Sequence, residues 1–281
     1  MGATVFGLRE TGSTLGALRV LVLCALALSA LGGCAATVSQ APPGRRAPLA
    51  TRPPAHPDLP PWLRPHLEEA HTRLLDHGLA LPRGLTVVVH EEPGEFRTAT
   101  GQGELALRAW TTFERVHLLH PRHWGDDSPA TRTARLTHEL CHAALLHHFV
   151  DMDAAVAARI PRFFTEGACS VVAGQERLAL VLVIAASRGA LPLTIDAFAR
   201  DPELAYGASH ALALELERAH GPRVFATVME AAATDGAAGC GERALLKLTG
   251  ARDVPALWQR VVDSAVDSAV DSAVDSVPSP P

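Results

Sequence analysis

Apolar positions spaced three and four apart from Leu63 to Leu79 (Leu67, Ala70, Leu74, Leu75, Leu79) predict a helix, closed by Pro82-Arg83-Gly84. The β-branched run Leu85–His90 predicts a strand and Arg115–His120 another. Arg97–Thr100 and Leu105–Trp110 are weaker strand candidates, separated by Gly101 and Gly103. From Ala130 to Phe149 the spacing becomes that of a long helix, introduced by Asp126-Asp127-Ser128-Pro129 in capping positions. Everything after it reads as helical, so the expected class is α+β, a small N-terminal sheet followed by a mainly helical C-terminal part. Within that part Leu178–Ala186 (LALVLVIAA) is strongly apolar but too short to cross a bilayer, and it predicts a buried helix.

The two ends follow other patterns. Val20–Leu31 is an apolar run after Arg9 and Arg19, too short to span roughly 30 Å of hydrocarbon, and it reads as the core of a signal peptide. It runs into Leu31-Gly32-Gly33-Cys34, which resembles the lipobox of bacterial lipoproteins. The resemblance implies that residues 1–33 are a cleaved lipoprotein signal and that Cys34 carries the lipid. Ala35, where such proteins carry Asp for inner-membrane retention, implies an outer-membrane anchor facing the periplasm. Residues 34–57 are rich in Pro and Ala, with Arg45, Arg46 and Arg52, and predict a tether. Residues 262–281 repeat Val-Asp-Ser-Ala and close on Pro278-Ser279-Pro280-Pro281; weak helix formers predict a disordered, solvated tail. Residues 58–261 remain as one folded domain.

Composition narrows the function. The chain has 281 residues, 48% of them hydrophobic, which is ample for a core. A net charge of −5 without basic runs argues against nucleic-acid binding. Lys247 is the single lysine among 25 Lys and Arg, a bias of base composition rather than of function. Five Cys without a CxxC pair do not make a disulfide-built scaffold.

Inside the long helix lies His138-Glu139-Leu140-Cys141-His142, an HExxH motif. Residues i and i+4 share a helical face, so both imidazoles can point at one Zn²⁺ while Glu139 reaches water on that ion. With 14 His in the chain, chance placement gives roughly 0.04 such motifs. The surrounding positions are largely apolar, and buried charge needs a partner that a metal can supply.

Two residues compete as third ligand. His148 has the metzincin spacing, but Leu145 stands where that signature needs Gly for a sharp turn, and a continuing helix carries His148 about 9 Å further along its axis. The other is Glu166, in Pro161-Arg162-Phe163-Phe164-Thr165-Glu166-Gly167-Ala168-Cys169. A second helix bearing that acid against the HExxH helix gives a His₂Glu site. The stretch resembles the Pro-x-Trp-x-x-Glu-Gly-x-Ala pattern of bacterial peptidase MA-like gluzincins, with Phe163 in place of Trp. Softer similarity extends over Tyr206–Gly221 and Gly250–Trp258.

The resemblance implies a zincin-like fold, Zn²⁺ as cofactor, ligands His138, His142 and Glu166, and Glu139 as general base. It also implies an oxyanion donor, for which Tyr206, or His210 one turn later, is expected. Cys141 and Cys169 stand where the family usually has Ala, one in each ligand-bearing helix, and predict a disulfide between them. Cys240 is a rival partner. His117, His120 and His123 cluster near a strand end, as solvated imidazoles or a second metal site. His147 and His148 suit the negative end of the helix dipole. The expected protein is a lipid-anchored zinc metallopeptidase acting on a peptide or protein substrate, with no nucleic-acid partner. The alternatives are a non-catalytic envelope lipoprotein using the fold as a binding module, and a hydrolase of a non-peptide amide. Oligomeric state and substrate specificity leave no mark in the sequence.

Overall fold

The computed structural model describes residues 59–101, 108–112, 115–125, 128–148, 160–175, 177–187, 189–237 and 239–275. The signal peptide, Cys34 and the tether lie outside them. The elements are α1 (Arg64–Asp76), β1 (Thr86–His90), α2 (Pro93–Thr100), β2 (Ala109–Thr111), β3 (Arg115–Leu119) and α3 (Pro129–His147). There follow α4 (Arg162–Val172), α5 (Leu180–Ser187), α6 (Ile195–Arg200), α7 (Pro202–His220), α8 (Val224–Asp235), α9 (Cys240–Thr249) and α10 (Val254–Asp275). The class is α+β, mainly helical with a three-stranded sheet, as the patterning predicts.

Strand order is β1-β3-β2, with β1 parallel and β2 antiparallel to β3. One face carries Val87, Ala109, Thr111, Val116 and Leu118 into the main core, against α3. The other face is closed by α2, whose Phe96 packs with Trp110 and Leu119. On this second face His90 Nε2 and His117 Nδ1 lie 2.9 Å apart with their rings stacked.

Three expectations on element type are corrected. Arg97–Thr100 belongs to helix α2: Pro93 occupies its first turn, and Thr98 and Thr100 bond back to the Gly94 and Phe96 carbonyls, which lets β-branched residues sit in a helix. The apolar run from Leu178 is not buried, since α5 encloses only Val183 while Val181 and Leu182 are 70% and 53% exposed. An all-apolar helix touched on one side must leave its remaining faces open. The Val-Asp-Ser-Ala repeat is helical through Asp275, because α10 is already nucleated and packed through Leu257, Trp258 and Val261 before the repeat begins. No helix among the described residues is long and apolar enough to cross a membrane.

The helices behind the sheet are built for close approach. Helix α4 crosses α7 at Gly167, where a Cβ would lie 2.1 Å from the Ser209 carbonyl oxygen. Only a residue without a side chain lets these backbones meet, and this crossing sets how deeply α4 lies in the core.

Two outcomes follow from this packing. Gly167→Ala must push α7 away and should cost about 1–3 kcal/mol of stability in denaturant melts, with metal affinity falling in the same variant. The His90–His117 pair sets a pH dependence. Burial lowers the pKa of His117 to about 4, aided by His90 and Arg115; burial lowers that of His90 too, opposed by Glu95. The unfolded chain takes up these protons first, so stability is complete above about pH 6.5 and is lost as pH falls toward 4. Thermal melts across that window should show the decline, and His117→Leu should flatten it.

Candidate metal centre

Helix α3 starts where its sequence says it should: Ser128 accepts from the Thr131 amide at 3.2 Å, and Pro129 takes the first helical position. The helix then runs through the core with every residue from Leu136 to His147 buried. His138 and His142, one turn apart, turn their rings to the same point. Helix α4 brings Glu166 to that point from the other side.

The three ligand atoms form a tight triangle. The two Nε2 atoms are 3.2 Å apart, and Glu166 Oε2 lies 3.3 Å from His138 Nε2 and 3.4 Å from His142 Nε2. A tetrahedral metal with bonds of about 2.0–2.1 Å sets its ligands about 3.3 Å from one another. The triangle therefore matches one face of such a polyhedron. Hydrogen bonding explains it less well, because two imidazole nitrogens aimed at each other and at a single oxygen cannot all be satisfied. His138 Nδ1 is buried and has no partner, which fixes no tautomer by itself. Among the described residues this buried cluster is the one group of three or more His, Cys, Asp or Glu able to hold a metal ion.

Electrostatics favour the ligand forms of Glu166 and His138. Burial works to raise the Glu166 pKa, but the His142 charge and the bonds from His138 and His142 hold it well below the usual carboxylate range. Burial lowers the His138 pKa, more than Glu166 restores, so its ring is neutral and free to donate its lone pair. Burial also works against charge on His142, and Glu166 outweighs it.

Glu139 follows His138 on the same helix and is buried. Its carboxylate is held by a residue the sequence did not single out. Thr111, in the terminal strand β2, donates to Glu139 Oε2 at 2.6 Å and lies 3.1 Å from the Glu139 carbonyl oxygen. Arg162 is the second such residue. Its Nε lies 3.4 Å from Glu166 Oε1, its Nη2 donates to the Tyr206 hydroxyl at 3.2 Å, and its guanidinium covers Phe198 at 4.6 Å. Arg162 stands one turn before Glu166, a spacing that could have marked it; Thr111 is 28 residues from Glu139 and carries no local signal.

Tyr206 thus comes within one residue of the ligand set. His210, one turn further along the helix, lines a cavity whose walls include none of the three ligands. His148 closes α3 as its C-terminal cap and is outside the metal cluster. The other histidines disperse: His117 pairs with His90, His120 accepts from the Arg122 amide, and His123 meets the Glu91 carbonyl.

Cys141 and Cys169 do face each other across the two helices, in hydrogen-bond contact, yet both are free thiols, as is Cys240. Burial, the Cys141 contact and the nearby carboxylates raise the Cys169 pKa well above its ordinary value. Disulfide exchange proceeds through a thiolate, which burial disfavours at Cys169.

No family model, curated protein or solved structure matches the chain.

The purified chain should bind about one divalent transition-metal ion, measured by elemental analysis. His138→Ala, His142→Ala and Glu166→Gln should each lower that affinity at least tenfold.

Proposed function

We propose that this protein is a zinc metallopeptidase with a gluzincin-type site on a zincin-like fold. The observation that carries the reading is the His138, His142 and Glu166 triangle at tetrahedral spacing, with the Glu139 carboxylate beside it on the same helix. Zinc is favoured by the donor set, two imidazoles and one carboxylate with a position left over. When bound, it supplies Lewis-acid polarisation of a carbonyl and lowers the pKa of a water toward about 7.

The chain's own groups do the rest. Glu139 takes the proton of the attacking water and returns it to the leaving amine. Thr111 donates to Oε2 of that carboxylate and so orients it. Arg162 steadies Glu166 and holds the Tyr206 hydroxyl beside it, where Tyr206 serves as donor to the developing oxyanion. A peptide substrate is supported by β2, which among the described residues pairs with β3 on one side only and passes beside Glu139. Extended peptides add to such strand edges through main-chain hydrogen bonds. The lipobox-like N-terminal sequence supports a location for this activity on the periplasmic face of a bacterial outer membrane, with a lipid on Cys34.

Glu139→Gln should abolish cleavage of a peptide library while leaving metal content unchanged. A purified chain without zinc, together with unaltered stability in His138→Ala, would refute the reading. Thr111→Val should lower kcat about tenfold with KM nearly constant, and Thr111→Ser should restore it, because only the hydroxyl orients the base.

A further inference from the structure

A second cavity, of about 710 Å³, opens between the end of α4, the segment leading into α5, and helices α7 and α10. Its volume lies within the range of small-molecule sites, roughly 300–1,000 Å³. Much of its wall is apolar, with Leu178, Leu180, Leu214 and Val261, and three basic side chains, Arg177, His210 and Arg218, share it.

Arg177 is held differently from Arg73, Arg122, Arg162 and Arg218, each of which meets a carboxylate. Arg177 is half-buried and held by neutral groups: Nε and Nη2 each donate to Ser170 Oγ at 3.2 Å, Nη2 also meets Gln175 Oε1, and the guanidinium covers the Tyr206 ring at 5.0 Å. Among the described residues no acid pairs with it, and its Nη1 makes no hydrogen bond. Glu215, the acid of the cavity wall, is already taken by both ends of the Arg218 fork at 2.8 and 2.6 Å.

His210 stands in the same wall. Its Nδ1 is enclosed without a hydrogen-bond partner, an atom left unsatisfied in either tautomer. Burial and the neighbouring Arg177 lower its pKa to about 4, the direction expected of an imidazole beside a cation. A rigidly held guanidinium and an imidazole, neither paired with an acid among the described residues, at an apolar wall have the character of a receptor for one negative charge on a hydrocarbon body.

We propose that this cavity binds an apolar carboxylate, its head on Arg177 and His210 and its hydrocarbon part along Leu178, Leu180, Leu214 and Val261. A phosphate suits it less, because one guanidinium would leave a second charge uncompensated in an apolar surround. Two sources share the chemistry: a free fatty acid, and the C-terminal end of a peptide whose last side chain is apolar. The site is separate from the metal centre and stands whether or not that centre is catalytic.

Calorimetric titration of the full chain with octanoate and with N-acetyl-alanyl-leucine tests it, each beside its neutral counterpart, octanol or the leucine amide. At least one carboxylate should bind one to one, and its neutral counterpart at least tenfold more weakly. Arg177→Met should weaken binding at least tenfold. Leu214→Glu should do the same by setting a like charge in the cavity, at a side chain 45% exposed where the fold bears the change. Tighter binding of octanoate assigns the site to lipid-derived acids, and tighter binding of the dipeptide assigns it to peptide ends. The proposal is overturned if neither carboxylate binds at millimolar concentration or if the neutral compounds bind equally well. It is likewise overturned by undiminished binding in Arg177→Met, or in Leu214→Glu should Arg177→Met not fold.

Discussion

A carboxylate and two imidazoles, all but sealed from solvent, meet within 3.4 Å at the centre of this protein. Removing such groups from water is costly, and their mutual hydrogen bonds cannot satisfy every lone pair. The architecture is organised around making that meeting tolerable. Helix α3 runs through the core because two of its faces are needed, one for the sheet and one for the ligands. Helix α4 is held at the required depth by α7, which approaches so closely that position 167 has no room for a side chain. Arg162 supplies a positive charge at the outer oxygen of Glu166, and Thr111 supplies a hydroxyl to the neighbouring acid.

The sheet is small for the role it has. Three short strands present Thr111 to the α3 helix and, on the opposite face, enclose a pair of stacked histidines under α2. One face thus contributes to the site and the other to acid sensitivity, and β3, hydrogen-bonded to both neighbours, ties the two together. Arg162 has a similar double attachment among the helices, reaching Glu166 on its own helix and Tyr206 on α7.

What the sequence disclosed was local. His138 and His142 declare themselves by spacing on one helix, Ser128 and Pro129 by capping chemistry, and Glu166-Gly167 by a pattern that the α4–α7 crossing now explains physically. What it concealed was either long-range or a matter of degree. Thr111 reaches Glu139 only after the sheet has formed, so no window of neighbouring residues contains the pair. Thr98 and Thr100 look strand-like by branching, but their hydroxyls bond to carbonyls one turn back and the helix keeps them. Helix α5 shows that an apolar run predicts a helix without predicting what covers it. His210 shares a helical face with Tyr206, yet one turn carries it from the rim of the metal centre to another cavity. Cys141 and Cys169 were legible as neighbours, but their state as free thiols has no signature in the sequence.

Helix α10 illustrates how a fold can absorb variation. Its packed part ends near Val261, and the Val-Asp-Ser-Ala units follow as further turns of the same helix. Each unit is four residues, so gaining or losing one changes the helix by about 6 Å and leaves the backbone hydrogen-bond pattern of what remains unaltered. A twelve-nucleotide slip in the gene keeps the reading frame and reaches no core contact that has been described. A C-terminal helix that is longer or shorter by whole repeat units would therefore disturb no core contact that has been described, so this end of the fold tolerates changes in length that the packed helices do not.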